Sequence, residues 1–328
     1  MRRRAFITLL GGATVWPLVA RAQQPAIPVV GFLSSGIADA FKRTVGAFQQ
    51  GLNETGYIEN QSVAIEYRWA NNEVDRLPAL AADLVQRQVA VIFASGPPAA
   101  PAVKAATSMI PIVVAFGHDP VQLGLAASLN RPGGNVTGAT FVTTELVSKR
   151  IELLCEVVPQ AMTVGYLNPG PQQSLPATEQ MTSEVLAAAR ILGRQVLVLQ
   201  VDTERDFEQA FETLVSRHVG ALVIASSLFF DTHDDKLAAL ALRHSLPAIF
   251  QRREFVEAGG LMCYSGNWGD AFRAAGVYVG RILKGAKPAE LPFQQSNTFE
   301  LAINLKTAKA LGLTVPVIMQ MTADHVVE

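Results

Sequence analysis

The sequence has 328 residues, of which 49% are hydrophobic and 17% are charged, a balance that is typical of a globular protein and excludes a disordered or fibrous chain. Its 27 basic and 28 acidic side chains nearly cancel, so the strong positive charge that a nucleic-acid partner requires is missing. Two cysteines are too few for a disulfide framework, and we predict that Cys155 and Cys263 are buried free thiols.

The first 22 residues have the composition of an export signal. Arg2, Arg3 and Arg4 precede an apolar run that ends at Ala20-Arg21-Ala22, a small-residue cleavage site. The arginine pair and the mild apolar core favour the twin-arginine route, with an ordinary secretory leader or an uncleaved anchor as alternatives. Removal of residues 1–22 leaves 23 basic and 28 acidic side chains, a net charge of −5. We predict an exported protein of the periplasm with no direct membrane insertion and no nucleic-acid partner.

Short apolar runs rich in β-formers alternate with amphipathic segments in the first half of the remaining chain. This alternation is typical of βαβ units with a parallel sheet. Uninterrupted apolar runs such as Val91–Ala94 indicate strands that are buried on both faces. The predicted strands are 29–34, 63–69, 90–95, 111–116 and 136–141. The predicted helices are 39–55, 75–87, 98–108 and 120–129.

The second half repeats the first at an offset of 134 residues, since Val30–Gly36 returns as Val164–Gly170. A period of this size is that of a whole lobe. The fold class predicted from it is α/β, with two similar Rossmann-like lobes that have parallel sheets and face a shared cleft. The predicted strands are 163–168, 195–201, 221–226, 247–251 and 260–265. The predicted helices are 145–157, 174–192, 204–217, 231–244 and 269–284, and a tail outside the repeat adds a strand at 299–304 and a helix at 305–311.

Ligands of open α/β sheets bind beyond the carboxyl ends of the strands, so the strand ends of the first lobe supply one set of candidates. Ser95-Gly96 precedes a helix start whose free amides suit an anion, although a serine that only caps the helix explains the same residues. Asp119 is either an acceptor for an ammonium group or a plain N-cap. The candidates in this lobe are Ser34, Ser35, Ser95, Gly96, His118, Asp119, Thr140 and Phe141.

The strand ends of the second lobe supply the other set. Aromatic side chains concentrate near the strand ends of the predicted cleft, namely Phe141, Phe229, Phe230, Phe250, Tyr264 and Trp268. We favour Phe141, Phe229 and Tyr264 for contact with an apolar or aromatic ligand group. Glu254 either faces a ligand amino group or belongs to a solvated charged cluster. The candidates in this lobe are Asn168, Ser226, Ser227, Phe229, Glu254 and Tyr264.

Motifs of catalysis and metal binding are absent from the sequence. It contains no Gly-x-Ser-x-Gly elbow, no His-Glu-x-x-His pair and no glycine-rich phosphate loop. The five histidines are dispersed without the spacing of metal ligands. We therefore predict a protein that is not an enzyme and has no cofactor, no metal and no catalytic residue.

Several long strings carry a resemblance to a known family: Val29–Gly36, Ala64–Ala70, Asp75–Ala81, Arg131–Gly138, Arg253–Met262, Ala274–Pro288 and Glu300–Gly312. They resemble the ABC-transporter substrate-binding proteins, a family that includes tryptophan- and tyrosine-binding members. The resemblance covers nearly all of the chain after residue 22 and implies a periplasmic binding protein of the first structural type. Such a protein has two Rossmann-like lobes joined by three crossover strands, and it closes on a ligand by a hinge motion.

The resemblance also implies lobe boundaries, contacts and partners. The N-terminal lobe is expected at 27–140 plus about 266–291, and the C-terminal lobe at 143–265 plus about 295–328. Ligand contacts are implied at Ser34-Ser35, Ser95-Gly96, Thr140-Phe141 and Asn168. The expected function is the solute-binding component of an ABC importer, a monomer that captures a small molecule and delivers it to a permease in the inner membrane. The expected ligand is an aromatic or branched amino acid or a related acid.

Two other functions fit parts of the same pattern. A periplasmic sensor that serves a signalling receptor would use the same fold and the same outer surfaces. A two-thiol amino-acid racemase would also have two pseudo-symmetric lobes, but Cys155 falls in a helical stretch away from any strand end. Duplication, an export signal and missing catalytic groups together favour an importer component that closes around its ligand.

Overall fold

The computed structural model describes residues 27–141, 144–171 and 177–328. The predicted export signal at residues 1–22 lies outside the described residues. Within the described part of the chain, no helix is long and apolar enough to cross a membrane.

The strands alternate with helices as the sequence predicts. The strands are β1 Val29–Ser34, β2 Ala64–Trp69, β3 Val91–Ser95, β4 Ile112–Phe116, β5 Val136–Phe141, β6 Thr163–Pro169, β7 Gln195–Val201, β8 Ala221–Ile224, β9 Ala248–Phe250, β10 Met262–Gly266, β11 Gln294–Ser296, β12 Phe299–Asn304 and β13 His325–Val327. The α-helices are α1 Lys42–Glu54, α2 Leu77–Gln86, α3 Ala99–Ala106, α4 Thr144–Val157, α5 Ala177–Ile191, α6 Asp206–Ser216, α7 Leu228–Asp231, α8 Asp234–Arg243, α9 Arg253–Glu257, α10 Trp268–Leu283, α11 Leu305–Ala310 and α12 Val317–Thr322.

The strands form two sheets that repeat one topology. The first sheet has the order β11-β5-β4-β3-β1-β2, and the second has the order β13-β12-β10-β9-β8-β6-β7. The run β5-β4-β3-β1-β2 corresponds strand by strand to β10-β9-β8-β6-β7, and the pairs within both runs are parallel. Strand β12 is antiparallel to β10 at the edge of this run. The predicted duplication is therefore confirmed as two α/β lobes.

Helices cover both faces of the first sheet. Alternate side chains of β3 enter different clusters: Val91 and Phe93 pack on one face, and Ile92 and Ala94 pack on the other. A strand has a side-chain period of two residues, so burial on both faces requires the uninterrupted apolar run that the sequence shows.

The chain passes between the lobes three times, as the resemblance implies. It leaves the first sheet after Phe141, returns between Gly266 and Trp268, and leaves again after Ser296. Helix α10 therefore packs in the first lobe, and β11 pairs with β5. The last crossing lies at 297–298, slightly after the expected boundary at about 295.

The helix predicted at 120–129 is wrong, because the structure has only a turn there. The Asp119 carboxylate accepts a hydrogen bond from the Val121 amide at 2.8 Å and starts the turn. Gly124 then adopts a φ of +66°, which ends it. The sequence pattern also did not predict the short elements α7, α9, α12, β11 and β13, which have three to six residues each.

Candidate functional site

The carboxyl ends of the parallel strands in the two lobes meet at one pocket, which we call the interlobe pocket. Its cavity volume is about 70 Å³. Most lining residues come from the loops after β3, β4, β5, β8 and β9. They are Phe41, Gly96, Pro97, Pro98, Ala115, Phe116, Gly117, His118, Phe141, Met181, Ser226, Ser227, Leu228, Asp231, Gln251 and Trp268.

The loop after β3 is shaped by glycine and by a buried serine. Gly96 has a φ of +93°, and a Cβ atom there would lie 2.4 Å from the Ser35 hydroxyl oxygen. That hydroxyl donates to the Ser95 carbonyl at 3.4 Å. The Ser95 hydroxyl is buried and has no partner within the described residues. Ser35 thus supports the loop from behind, while Gly96 faces the pocket.

His118 and Asp119 follow β4 but have different surroundings. His118 lines the pocket, and its Nδ1 atom is buried without a partner among the described residues. Burial lowers the pKa of the His118 imidazole, so the neutral ring is favoured at neutral pH. Asp119 is exposed and caps the following turn, which is the structural alternative that the sequence left open.

Aromatic rings of the first lobe form one wall of the pocket. The rings of Phe141 and Trp268 lie 5.1 Å apart between centroids, and those of Phe41 and Trp268 lie 6.5 Å apart. The indole Nε1 of Trp268 is buried without an acceptor in the described structure. Thr140 precedes Phe141 on β5 and points to the opposite face of the sheet. This wall therefore combines apolar surface with one unused hydrogen-bond donor.

The loop after β8 forms the facing wall. The Ser227 hydroxyl accepts from the Phe230 amide at 3.2 Å and caps α7. The Ser226 hydroxyl accepts from an arginine of α4, Arg150, at 2.9 Å. Leu228 packs against the core of the first lobe. Gly96 of the first lobe and Ser226 and Ser227 of the second lobe line the same pocket.

Arg150 is a buried cation that the strand ends of the sequence do not indicate. Its Nε donates to the Tyr264 carbonyl at 2.7 Å and its Nη1 to Ser226, while its Nη2 has no partner among the described residues. The side chain is 1% exposed, and burial lowers its pKa to about 10. The sequence held a signal, because an arginine lies within the apolar stripe of a helix. That stripe is Leu146, Val147, Ile151 and Leu154.

Carboxylates and an arginine are buried beside the pocket in the second lobe. Gln251 Nε2 donates to Asp231 Oδ1 at 2.6 Å, and burial raises the pKa of Asp231 to about 6. Arg252 Nε donates to Asp234 Oδ2 at 2.9 Å, and burial raises the pKa of Asp234 to about 7. Arg252 Nη2 also donates to the carbonyl of Ala40 in the first lobe at 2.9 Å. This contact crosses the cleft.

Glu254 lies in the ion-pair cluster at the contact between the lobes, and not in the lining of the interlobe pocket. Its carboxylate is 3.3 Å from Arg252 and 3.9 Å from Arg43 of the first lobe. Nearby, Arg43 pairs with Glu257 at 2.7 Å. Glu254 therefore belongs to a cluster of charged side chains, which is one of the two alternatives given for it from the sequence. The same ion pairs show that the two lobes touch beside the pocket.

Phe229 and Tyr264 lie away from the interlobe pocket. Phe229 packs on Phe207 and His233 in the core of the second lobe, with centroid distances of 5.4 and 5.0 Å. Tyr264 stacks on Phe299 at 5.9 Å and lines a separate groove beside α4 and α12. Of the three aromatic residues favoured from the sequence, the structure brings only Phe141 to the pocket.

Two other predicted residues, Ser34 and Asn168, make hydrogen bonds at strand ends and do not line the pocket. Ser34 accepts a hydrogen bond from the Gly36 amide at 3.2 Å. Asn168 donates to the Thr182 hydroxyl at 3.2 Å, and its side-chain oxygen has no partner within the described residues. Both are nearly fully buried, and we place them behind the loops that carry the pocket.

The described residues include no group of three or more histidine, cysteine or acidic side chains that could hold a metal ion. Cys155 on α4 and Cys263 on β10 are buried and free, as predicted. Burial raises the pKa of Cys263 to about 12, so this thiol stays protonated and is a poor nucleophile at neutral pH.

Comparison with known proteins extends these observations. The sequence pattern of the ABC transporter substrate binding protein family matches residues 27–327. A tyrosine-binding protein of Clostridioides difficile (strain R20291) is 25% identical over 284 residues, which are 85% of this chain and 78% of that protein. The ABC domain in complex with L-Trp from Streptococcus pneumoniae has 25% identity and a TM-score of 0.82, with 92% of this chain and 99% of that chain covered. A conserved domain protein of Vibrio cholerae shares the fold at 22% identity, with a TM-score of 0.81 and the same coverage.

Proposed function

The chain belongs to the family of ABC transporter substrate-binding proteins, which are not enzymes, and from this premise we propose that it captures an aromatic amino acid in the interlobe pocket. As a member of that family, it is the extracytoplasmic solute-binding component of an ABC transporter. The proposal adds the class of ligand and the residues that hold it.

The observation that carries this proposal is the composition of the pocket. The rings of Phe41, Phe141 and Trp268 offer an apolar wall to a ligand ring, and aromatic pairs favour such tilted contacts at about 4.5–7 Å. His118 Nδ1 and Trp268 Nε1, which have no partner among the described residues, lie in the same lining. Buried polar groups without partners are rare in folded proteins, so a ligand with both a ring and polar groups satisfies this site.

The place of action is also part of the proposal. The leader predicted at 1–22 directs the protein to the periplasm by the twin-arginine route, where it acts as a monomer. The cargo passes to a permease in the inner membrane, which recognises the closed form of the two lobes. Cytoplasmic retention of a fusion that carries residues 1–30, in cells that export a known twin-arginine substrate, would contradict this part.

A ligand screen by thermal unfolding tests the proposal directly. We expect L-tryptophan or L-tyrosine to raise Tm by several degrees, because a ligand present at 100 times its Kd stabilises the folded state by about 2.7 kcal/mol. The screen covers the standard amino acids and matched aromatic acids, and calorimetric titration gives Kd for every ligand that shifts Tm. Stabilisation by aliphatic amino acids alone would remove the aromatic class, and turnover of a bound ligand would contradict a pure binding function.

Replacement of Phe141 by leucine tests the location of the site. We expect the Kd for the aromatic ligand to rise about 10-fold, because the ring contact beyond buried area is lost while most of the volume remains. The matched control is Tyr264→Leu, an aromatic residue that lines the separate groove, and its Kd is expected to stay within about 2-fold. A larger effect at Tyr264 than at Phe141 would move the site to that groove.

A further inference from the structure

The start of α1 carries a cation whose acidic partners all lie across the cleft. Arg43 Nη2 donates to both carboxylate oxygens of Glu257 at 2.7 Å, and Arg43 Nε is 3.9 Å from a carboxylate oxygen of Glu254. Arg43 belongs to the first lobe, and both glutamates belong to α9 of the second lobe. Among the described residues, Arg43 makes no ion pair within its own lobe. The charge of Arg43 is therefore paired only while the two lobes touch.

Helix α1 itself gives no reason for this cation. Lys42 and Arg43 are its first two residues, its first turn has no acidic side chain, and no side chain caps its start. The positive end of a helix dipole disfavours cations and favours acidic groups. A charge that weakens its own helix and has partners only in the other lobe indicates a role in the contact between the lobes.

A second arginine reaches across the cleft in the opposite direction. Arg252 Nη2 of the second lobe donates to the Ala40 carbonyl of the first lobe at 2.9 Å, and its guanidinium lies 5.6 Å from the centre of the Phe41 ring. Two short segments, 40–43 of the first lobe and 252–257 of the second, thus contact each other through one cation from each side. We call this set of contacts the interlobe latch.

The charged groups of the interlobe latch lie outside the surface that meets a ligand. Arg43, Arg252, Glu254 and Glu257 do not line the interlobe pocket. The side chains of Arg43 and Glu257 are 47% and 36% exposed, whereas that of Arg252 is 4% exposed. Dissolved salt screens exposed charges and has little effect on buried ones. Salt therefore weakens the contacts of Arg43 and leaves that of Arg252 nearly unchanged.

We propose that Arg43, through Glu254 and Glu257, keeps part of the ligand-free protein closed and makes the affinity for every ligand depend on salt. The apparent Kd of a ligand that is held in the closed form equals its intrinsic Kd divided by the closed fraction. Loss of the Arg43 contacts therefore raises Kd by one common factor and leaves selectivity unchanged. Arg43 is a positioning residue, because it acts on closure and touches no ligand. The inference goes beyond the proposed function, since it does not depend on the class of ligand.

Small-angle X-ray scattering of the ligand-free protein tests closure directly, because parting of the lobes raises the radius of gyration. We expect this radius to rise when sodium chloride is raised from about 0.01 M to about 1 M, since the Debye length falls from about 30 Å to about 3 Å. Arg43→Met is expected to have a larger radius than the wild type at low salt and to lose most of the salt response. Lys42→Met is the matched control, because Lys42 is the neighbouring cation of α1 and pairs with Asp39 of its own lobe.

Ligand kinetics measure the consequence for binding. With L-tryptophan and with L-tyrosine, Arg43→Met is expected to raise Kd by the same factor, about 5-fold, mainly through a faster dissociation rate. Glu257→Gln is expected to have a smaller effect, because Glu254 remains, and to add little in the Arg43→Met background. Arg43→Glu is expected to weaken binding further, because it places like charges opposite each other. Urea denaturation of each variant controls for a general loss of stability.

The outcomes separate the interlobe latch from the proposed function. A radius of gyration that is the same for the wild type and Arg43→Met at both salt concentrations overturns the latch and leaves the proposed function intact. A change of Kd that differs between the two amino acids makes Arg43 a contact residue and also overturns it. An equal effect of Lys42→Met overturns it as well, because the charge of α1 and not the contact then controls closure. If neither amino acid binds, the proposed function fails, and the scattering result still decides on the latch.

Discussion

Replacement of Gly51 by alanine is expected to lower the free energy of unfolding by about 3 kcal/mol. Gly51 on α1 lies against α10, and a Cβ atom there would sit 1.9 Å from the carbonyl oxygen of Arg273. Backbone atoms of two packed helices cannot turn aside as a flexible side chain does, so the helices must separate. Gly276 on α10 makes the reciprocal contact, with a Cβ position 2.1 Å from the Phe48 carbonyl oxygen.

The control for this prediction lies on the same helix. Gly46 on α1 has no atom within 4 Å of its Cβ position, so Gly46→Ala is expected to stabilise the protein by up to about 1 kcal/mol through helix propensity alone. Urea denaturation followed by circular dichroism measures both variants. Equal effects at the two positions would show that helix propensity, and not the contact between α1 and α10, controls the result.

The close contact of α1 with α10 also shows what sequence patterns can predict. Glycines 51 and 276 stand within helical patterns, where they usually weaken a helix, and only the packing of residues more than 200 positions apart explains them. The strands and their duplication, in contrast, follow from local signals. Buried runs such as Val91–Ala94 and the repeat at 134 residues fix the strands and their duplication, because parallel βαβ units admit few topologies.

The same limit applies to the candidate site. The loops after parallel strands lie at one edge of the sheet, and this placement does not depend on how the helices pack. The pocket is therefore lined by several of the strand-end residues named from the sequence: Gly96, His118, Phe141, Ser226 and Ser227. Arg150 comes from within helix α4, where its place in the apolar stripe indicates burial but not which strand ends it meets.

Neighbours on a strand point to opposite faces, and the sequence does not show which face meets the cleft. Tyr264 on β10 illustrates this, because its ring packs on Phe299 and not in the pocket. Phe229 lies on α7 and packs on Phe207 in the core of the second lobe.

Replacement of Arg252 by methionine is expected to lower the free energy of unfolding by about 3–5 kcal/mol at pH 8, because it leaves buried carboxylates without their cation. Arg252 is 4% exposed, it pairs with Asp234 at 2.9 Å, and its charge also lowers the pKa of Asp231. Removal of this cation raises both carboxyl pKa values further above their ordinary values. Chemical denaturation at a series of pH values measures the loss.

The loss of stability in the Arg252→Met variant is expected to depend on pH. Burial already raises the pKa of Asp231 to about 6 and that of Asp234 to about 7, so the folded state binds their protons more tightly than the unfolded state. Stability from such groups is present below pH 4 and is lost as the pH rises through 6 and 7. The deficit of the Arg252→Met variant is therefore expected to be small at pH 5 and largest at pH 8.

A double variant and a control substitution at the neighbouring Arg253 complete the test. Asp234→Asn in the Arg252→Met background is expected to restore part of the stability at pH 8, because the carboxylate that pairs directly with Arg252 is then gone while Asp231 remains. Arg253→Met removes the partly exposed pairs with Glu257 and Glu300 and the contact of its Nη2 with the His325 ring, and it is expected to change stability by less than about 1 kcal/mol at every pH. A deficit that is the same at pH 5 and pH 8 would show that the lost packing on Phe41, over whose ring the Arg252 guanidinium lies at 5.6 Å, outweighs the charges.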